Sequence, residues 1–261
     1  MVSDLFDLSG KTAIVTGGSR GIGEAAARRL AEAGARVVVA SRDKDACAEV
    51  ARSINSDLGR EAAAATGCNV SRKEDLAALV AFAEDAFGAV DIVVSNAAAN
   101  VHYGPSQEID DAAFAKIMTA NVNASHWLSQ MTMPKMADRK DGVFIIVSSI
   151  AAFIGSSTLG AYGVSKAADL QIARNLAVEY GPSNVRANCI CPGIVKTKFA
   201  EALWKDPKIE AHTSAQLPLR RFGEPDDIAG AVVFLASRAG AWMTGQQIVI
   251  DGGALVSMST L

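Results

Sequence analysis

Short apolar runs alternate with longer amphipathic stretches along this chain. Thr12–Thr16 and residues 37–40, 62–66, 91–94, 143–147, 186–191 and 248–250 are apolar nearly throughout. That is the pattern of strands buried on both faces rather than on one. Between them lie helical stripes: Ala26, Leu30 and Ala33; then Lys44–Leu58; then Leu76, Leu79, Val80 and Ala83. From about Asp111 the stripe is Phe114, Ile117 and Met118; after residue 162 it is Leu170, Ala173, Leu176 and Ala177; a last helix starts at 221–225. Gly34, Gly88 and Gly181-Pro182 supply stop signals. The pattern predicts seven strands and six main helices in strict alternation, with no linker and no internal repeat. An α/β fold follows: one doubly wound domain over 1–261, a seven-stranded parallel sheet with helices on both faces.

Composition agrees with close helix–sheet packing: half of the 261 residues are hydrophobic, only 6% are aromatic and 22 are glycine. A net charge of −3 without like-charge blocks gives no reason to expect nucleic acid or an anionic membrane as partner. The first ten residues carry Asp4 and Asp7 and no apolar run, unlike a secretory signal, and no stretch has transmembrane length. The Ser-Thr-Leu ending departs from the peroxisomal Ser-Lys-Leu, so a cytoplasmic protein is expected. Cys47, Cys68, Cys189 and Cys191 read as reduced, buried thiols, the last two on one face of a strand at a spacing that suits no disulfide. Three scattered histidines and no Cys-x-x-Cys give no metal site.

Candidate chemistry concentrates at predicted carboxyl ends of strands. The first strand runs into Thr16-Gly17-Gly18-Ser19-Arg20-Gly21-Ile22-Gly23 and then a helix. Glycines there let backbone approach a pyrophosphate, and the helix N-terminus attracts its charge. The second strand ends at Ser41-Arg42, where an acid would bind the ribose 2′-hydroxyl of NAD. A serine lifts the repulsion of a carboxylate from a 2′-phosphate, and Arg42 with Arg20 attracts it, so NADP is expected over NAD. The fifth strand ends at Ser148-Ser149, whose side chains point to opposite faces; Tyr162 follows Ser149 by thirteen positions and Lys166 follows Tyr162 by four. On one helix the last two stack, and the ammonium is expected to pull the phenol below its usual pKa of about 10. His102 and Tyr103 sit in a polar loop, where a solvated histidine is the plain reading.

The glycine spacing, Ser149, Tyr162-x-x-x-Lys166 and the order of elements from Leu8 to Gly253 resemble the classical short-chain dehydrogenase/reductase family, with its Rossmann fold. The stretch 94–98, Val-Ser-Asn-Ala-Ala, resembles its branch of NADPH-dependent carbonyl and retinol reductases, peroxisomal in eukaryotes. The resemblance implies a catalytic set of Ser149, Tyr162, Lys166 and Asn121, the asparagine interrupting its helix and holding a water linked to the lysine. It implies cofactor contacts at Gly17, Ser19, Arg20, Gly21, Ile22, Gly23, Ser41, Arg42, Asn69, Val70, Asn96, Ala97 and Ala98. Tyr162 and Lys166 belong to that set too, with Pro192, Gly193, Ile194, Val195 and Thr197 at the nicotinamide. Asn69 stands where the family carries aspartate at the adenine, and Ser95 and Ala98 depart from Asn-Asn-Ala-Gly. A substrate lid is expected at about 195–220, with Phe153, Ile154, Phe199, Leu203 and Trp204 beside Ser149 and Tyr162 in a partly apolar pocket. The implied activity is NADP(H)-dependent interconversion of a ketone or aldehyde and an alcohol, in a homotetramer. A non-catalytic NADP-binding regulator, an NAD-linked alcohol dehydrogenase and an epimerase or dehydratase on the same fold stay open as alternatives.

Overall fold

The structure is a computed structural model that describes residues 2–257; the Ser-Thr-Leu ending lies outside the described residues. After a short helix, α1 (Val2–Leu5), strand β1 (Thr12–Thr16) is buried at all five positions. The chain then runs α2 (Gly21–Glu32), β2 (Arg36–Ser41), α3 (Lys44–Leu58), β3 (Ala63–Gly67), α4 (Lys73–Phe87) and β4 (Ile92–Ser95). It continues with α5 (Asp111–Met118), a wide π-turn (Thr119–Asn123), α6 (Ala124–Arg139), β5 (Gly142–Val147), α7 (Gly160–Tyr180) and β6 (Val185–Pro192). It closes with α8 (Glu201–Trp204), α9 (Pro207–Ser214), α10 (Pro225–Ala236) and β7 (Gln247–Ile250).

The strands form one parallel sheet in the order β3-β2-β1-β4-β5-β6-β7. Successive side chains alternate between two apolar layers, as the twofold period of a strand requires. Ala13, Val15, Val37, Val39 and Ile145 meet Leu30 of α2, Ile54 of α3 and Val232 of α10. Ile14, Val38, Phe144 and Ile146 meet Leu79 of α4, Leu128 of α6 and Leu170 of α7 on the other face. The sequence thus folds as one doubly wound domain. β2 and β3 extend the sheet to one side of β1, and β4 begins the other side. Such a switch point leaves a crevice at the carboxyl ends of β1 and β4, where open α/β sheets bind ligands.

The segment after β6, a loop by its mixed composition, contains α8 and α9. Asp206 accepts the Lys208 N–H at 2.8 Å and Pro207 takes the first helical position, which together start α9. The four cysteines are free and buried.

Candidate active site

At the switch point, one threonine ties the ends of β1 and β4 together. Thr16 Oγ1 accepts the Asn96 and Ala97 N–H groups at 3.0 and 3.1 Å, and Asn96 Nδ2 donates to the Thr16 carbonyl at 2.9 Å. Gly17 sits at φ +65°, and a Cβ there would come within 2.8 Å of Asn96 Nδ2. A Cβ on Gly23 would meet the Gly17 carbonyl oxygen at 2.3 Å, so the turn closes only with glycine at both places. α2 begins in this turn with Arg20 as its N-cap residue, and no side chain caps its first N–H groups. They face solvent beside a cleft of about 340 Å³ lined by Arg20, Gly21, Lys196, Thr197, Lys198 and Trp204 among others. Arg20 and Lys198 add positive charge to this uncapped helix end, while Lys196 is paired with Glu210 at 2.6 Å and Glu201 also lines the cleft; a helix N-terminus of this kind suits an anion.

At the end of β2, Ser41 is engaged locally. Its hydroxyl accepts the Asp43 N–H and donates to the Asp43 carbonyl, both at 3.1 Å, and meets Cys47 Sγ. The Arg42 and Arg20 side chains are exposed and make no hydrogen bond or ion pair among the described residues. Asn69 Oδ1 accepts the Ser71 N–H at 3.1 Å, while Asn69 N–H donates to Asp75 and Val70 packs on the core.

The two serines at the end of β5 part as alternation demands. Ser148 is buried and donates to the Lys166 carbonyl at 2.8 Å; Ser149 accepts the Ala151 N–H and faces the Tyr162 hydroxyl. On α7, Tyr162 is 8% exposed and Lys166 2%. Lys166 Nζ lies 5.7 Å from the Tyr162 ring centre and donates to the Val147 carbonyl at 2.9 Å and to Asp169 Oδ2 at 3.1 Å. Burial drives the Tyr162 pKa up; Lys166 and Ser149 pull it back, Asp169 and Tyr103 push it further, and the outcome is a raised value. The sequence expectation of a lowered phenol pKa is therefore corrected: desolvation outweighs the ammonium. Burial also opposes the Lys166 charge, but Asp169 and Tyr162 more than compensate and the lysine pKa is raised.

Asn121 lies in the π-turn, and its side chain is fully occupied. Oδ1 accepts the Ala99 N–H at 2.7 Å, while Nδ2 donates to the Ala99 carbonyl at 3.0 Å and to Ser165 Oγ at 2.9 Å. It thereby clamps the loop at Ala99 to α7, and its main-chain carbonyl accepts the Ser125 hydroxyl at 3.3 Å.

After β6, Pro192 and Val195 are buried and Gly193 and Ile194 half-buried. The Ile194 carbonyl accepts the Gly223 N–H at 2.9 Å, so of its two backbone groups the carbonyl is already taken. Thr197 packs its methyl against Gly21, and its carbonyl accepts the Trp204 indole N–H at 2.9 Å. Of the substrate candidates, Phe199 lies 5.7 Å from Tyr162 ring to ring, and Leu203 and Trp204 are half-buried on α8. Phe153 and Ile154 are exposed on the loop before α7. His102 lies in its loop with one ring nitrogen 3.2 Å from the Pro105 carbonyl. Sequence reasoning passed over Ser165, which anchors Asn121, and Asp169. The signal for Asp169 was an acid three residues after Lys166 on the stripe that carries Leu170 and Ala173.

Comparison with known proteins agrees with this fold. A family model described as enoyl-(acyl carrier protein) reductase matches residues 17–254. Dehydrogenase/reductase SDR family member 4 of Bos taurus is 42% identical over 250 residues, 95% of this chain and 88% of that one. A gluconate 5-dehydrogenase from Burkholderia cenocepacia J2315, solved in complex with NADP and tartrate, superposes with a TM-score of 0.92 at 29% identity, covering 99% of this chain and 100% of that one. A 7α-hydroxysteroid dehydrogenase complexed with NADH and 7-oxo glycochenodeoxycholic acid has a TM-score of 0.91 at 37% identity, with 96% of each chain covered. The chain belongs to the short-chain dehydrogenase/reductase family of oxidoreductases.

Proposed function

We propose that this protein is an NADP(H)-dependent carbonyl reductase and alcohol dehydrogenase, with Tyr162 as its acid/base. One observation carries the reading. Ser149, Tyr162 and Lys166 converge at the carboxyl end of β5, on the same edge of the parallel sheet as the glycine turn and the uncapped start of α2. The residues present fit a dinucleotide: the turn excludes side chains at Gly17 and Gly23, and the N–H groups of α2 have no internal acceptor. Gly17, Ser19, Arg20, Gly21, Ile22 and Gly23 would hold the pyrophosphate, and Asn69, Val70, Asn96, Ala97 and Ala98 would flank adenine and ribose. The Ile194 N–H, the Thr197 hydroxyl and the backbone of 192–195 would hold the nicotinamide ring. Bound there, the reduced nicotinamide supplies the hydride. Ser149 and Tyr162 hold the carbonyl oxygen by hydrogen bonds, and Tyr162 gives it a proton. Lys166 keeps its third hydrogen for the nicotinamide ribose and stabilises the phenolate left behind, and a water held at Asn121 would take part in the relay. The NADP preference rests on Arg20 and Arg42, whose guanidiniums are unpaired, and on the absence of an acid at the end of β2.

Phe199 against Tyr162, with Leu203 and Trp204 behind it, supports a partly apolar substrate pocket under a lid at about 195–220. A cytoplasmic setting follows from four thiols kept reduced, and a homotetramer from the apolar faces considered in the Discussion. The test is cofactor absorbance over a panel of aryl and medium-chain ketones with NADPH and NADH, for wild type and Tyr162→Phe. Positioned acid catalysis is worth about 10²–10⁴. Tyr162→Phe is expected to lose at least about 100-fold in turnover while binding NADPH as before. Retained turnover in that variant removes the acid/base role.

A further inference from the structure

Asp169 is wholly buried, one helical turn beyond Lys166 on α7, and its carboxylate touches the ammonium. Oδ2 lies 3.1 Å from Lys166 Nζ, and Oδ1 is buried with no hydrogen-bond partner. Lys166 spends another hydrogen on the Val147 carbonyl, a neutral acceptor. The remaining titratable groups around the trio are Tyr103 from the loop after β4, Cys189 and Cys191 from β6, and Arg174 further along α7. Burial pushes both thiols up, Cys191 to about 12, so they stay neutral. The turn after β5 presents only hydroxyls, from Ser148 and Ser149; burial pushes the Asp169 pKa up, while Lys166 and the Ser148 hydroxyl pull it back, and the outcome is a raised value. Asp169 is therefore the one acid in contact with the ammonium among the described residues.

The charge balance of the site follows. With Tyr162 protonated, Lys166 and Asp169 sum to zero inside a buried volume. Ionising the phenol leaves one uncompensated negative charge there, which a low-dielectric interior disfavours. Without Asp169 the order reverses: the protonated site would carry a net positive charge, and losing a proton would neutralise it. We propose that Asp169 is the counter-ion of Lys166 and a positioning residue for Tyr162: by cancelling the ammonium's charge it keeps Tyr162 a phenol, poised to give a proton to a carbonyl rather than to take one from an alcohol. In reduction the Tyr162 O–H bond breaks and the alcohol O–H bond forms, while the carbonyl carbon takes the hydride supplied by the reduced nicotinamide. The phenolate then recovers its proton from solvent. Asp169 thus places neutral pH on the plateau of the carbonyl-reduction profile and below the rise of the alcohol-oxidation profile, with the equilibrium itself unchanged. This inference rests on the acid/base role proposed for Tyr162.

Ultraviolet difference titration of the ligand-free protein, wild type minus Tyr162→Phe, reads the phenol directly. The tyrosinate of residue 162 is expected only above the free-tyrosine value of about 10. Its appearance near neutral pH overturns the proposal without recourse to any Asp169 variant. Asp169→Asn keeps the shape and removes the charge; Asp169→Leu also removes the hydrogen bond. Both are expected to move the titration to lower pH, together with the fall of carbonyl reduction and the rise of alcohol oxidation. Asp169→Glu, which restores a carboxylate, is expected to return both toward wild type. A titration that stays in place in folded Asn and Leu variants, with Tyr162→Phe inactive, removes the role of Asp169 and leaves the acid/base reading standing. Turnover by Tyr162→Phe would instead remove that reading itself.

Discussion

Arg42 is an exposed guanidinium without a carboxylate or hydrogen-bond partner, at the end of the strand that borders the glycine turn. An unpaired cation there costs nothing to redirect, so its whole interaction with a 2′-phosphate counts toward binding. Hydrogen bonds to charged groups are worth about 1.5–3 kcal/mol, and Arg42→Ala is expected to weaken NADPH binding roughly tenfold or more. NADH, which lacks the phosphate, is expected to bind nearly as before, and fluorescence titration with the two cofactors decides it. Equal losses for both would end the assignment of Arg42. Arg42 could be singled out in the sequence because the role proposed for it depends on a local element, a strand end after a glycine turn. The sign of the Tyr162 shift was not, because i,i+4 spacing records the ammonium and omits the burial. Asp169 stayed hidden for the same reason: only tertiary packing turns an acid on a helix stripe into a buried counter-ion.

Helix α10 is fastened by two acids in its first turn. Asp226 takes a bidentate bond from Arg29 of α2, at 3.0 and 2.7 Å, and Asp227 accepts the Glu224 N–H at 2.7 Å and pairs with Arg221. The Arg221 guanidinium first, and the Glu224 N–H after it, lower the Asp227 pKa from 3.8 to about 2. A carboxyl with a depressed native pKa stabilises the fold above its unfolded value and loses that contribution as pH falls through the native one. Asp227→Ala is expected to cost about 1 kcal/mol at pH 7, the usual worth of a cap, and progressively less between about pH 4 and 2. Thermal melts of both proteins across that range check it; a constant gap would mean that charge plays no part. Elements of this kind were largely legible. Seven apolar runs became seven strands, with ends shifted by a residue as at β3, because a doubly covered parallel strand has no polar face to hide it. Three elements were less so. α8 and α9 lack a continuous apolar stripe and depend on Asp206 and contacts such as Trp204 to Thr197. The π-turn at 119–123 has no periodicity of its own, and Asn121 alone pointed to it.

At the scale of the molecule, two apolar regions are left uncovered by the protein's own chain. One lies on the α5 and α7 side, with Phe114 at 40%, Val164 at 54% and Val178 at 80% exposed. The other lies around the outer strand β7, where Trp242 is fully exposed beside Val249 and Val256. An uncovered outer strand and large exposed side chains are costly to leave in water. Twofold contacts through two separate faces close at four copies, which supports the proposed tetramer. The residues proposed for cofactor binding and acid/base chemistry lie within one chain, so assembly is expected to support the site from outside. Light scattering at micromolar concentration is expected to give four times the 27.1 kDa chain mass. Trp242 makes no contact that its own fold needs, so Trp242→Arg is expected to halve that mass while leaving circular dichroism and NADPH binding unchanged. A monomeric wild type removes the tetramer. A variant that stays at four copies shows instead that the face around β7 lies outside the contact, and the second twofold would then have to run through a surface that its exposed side chains do not mark.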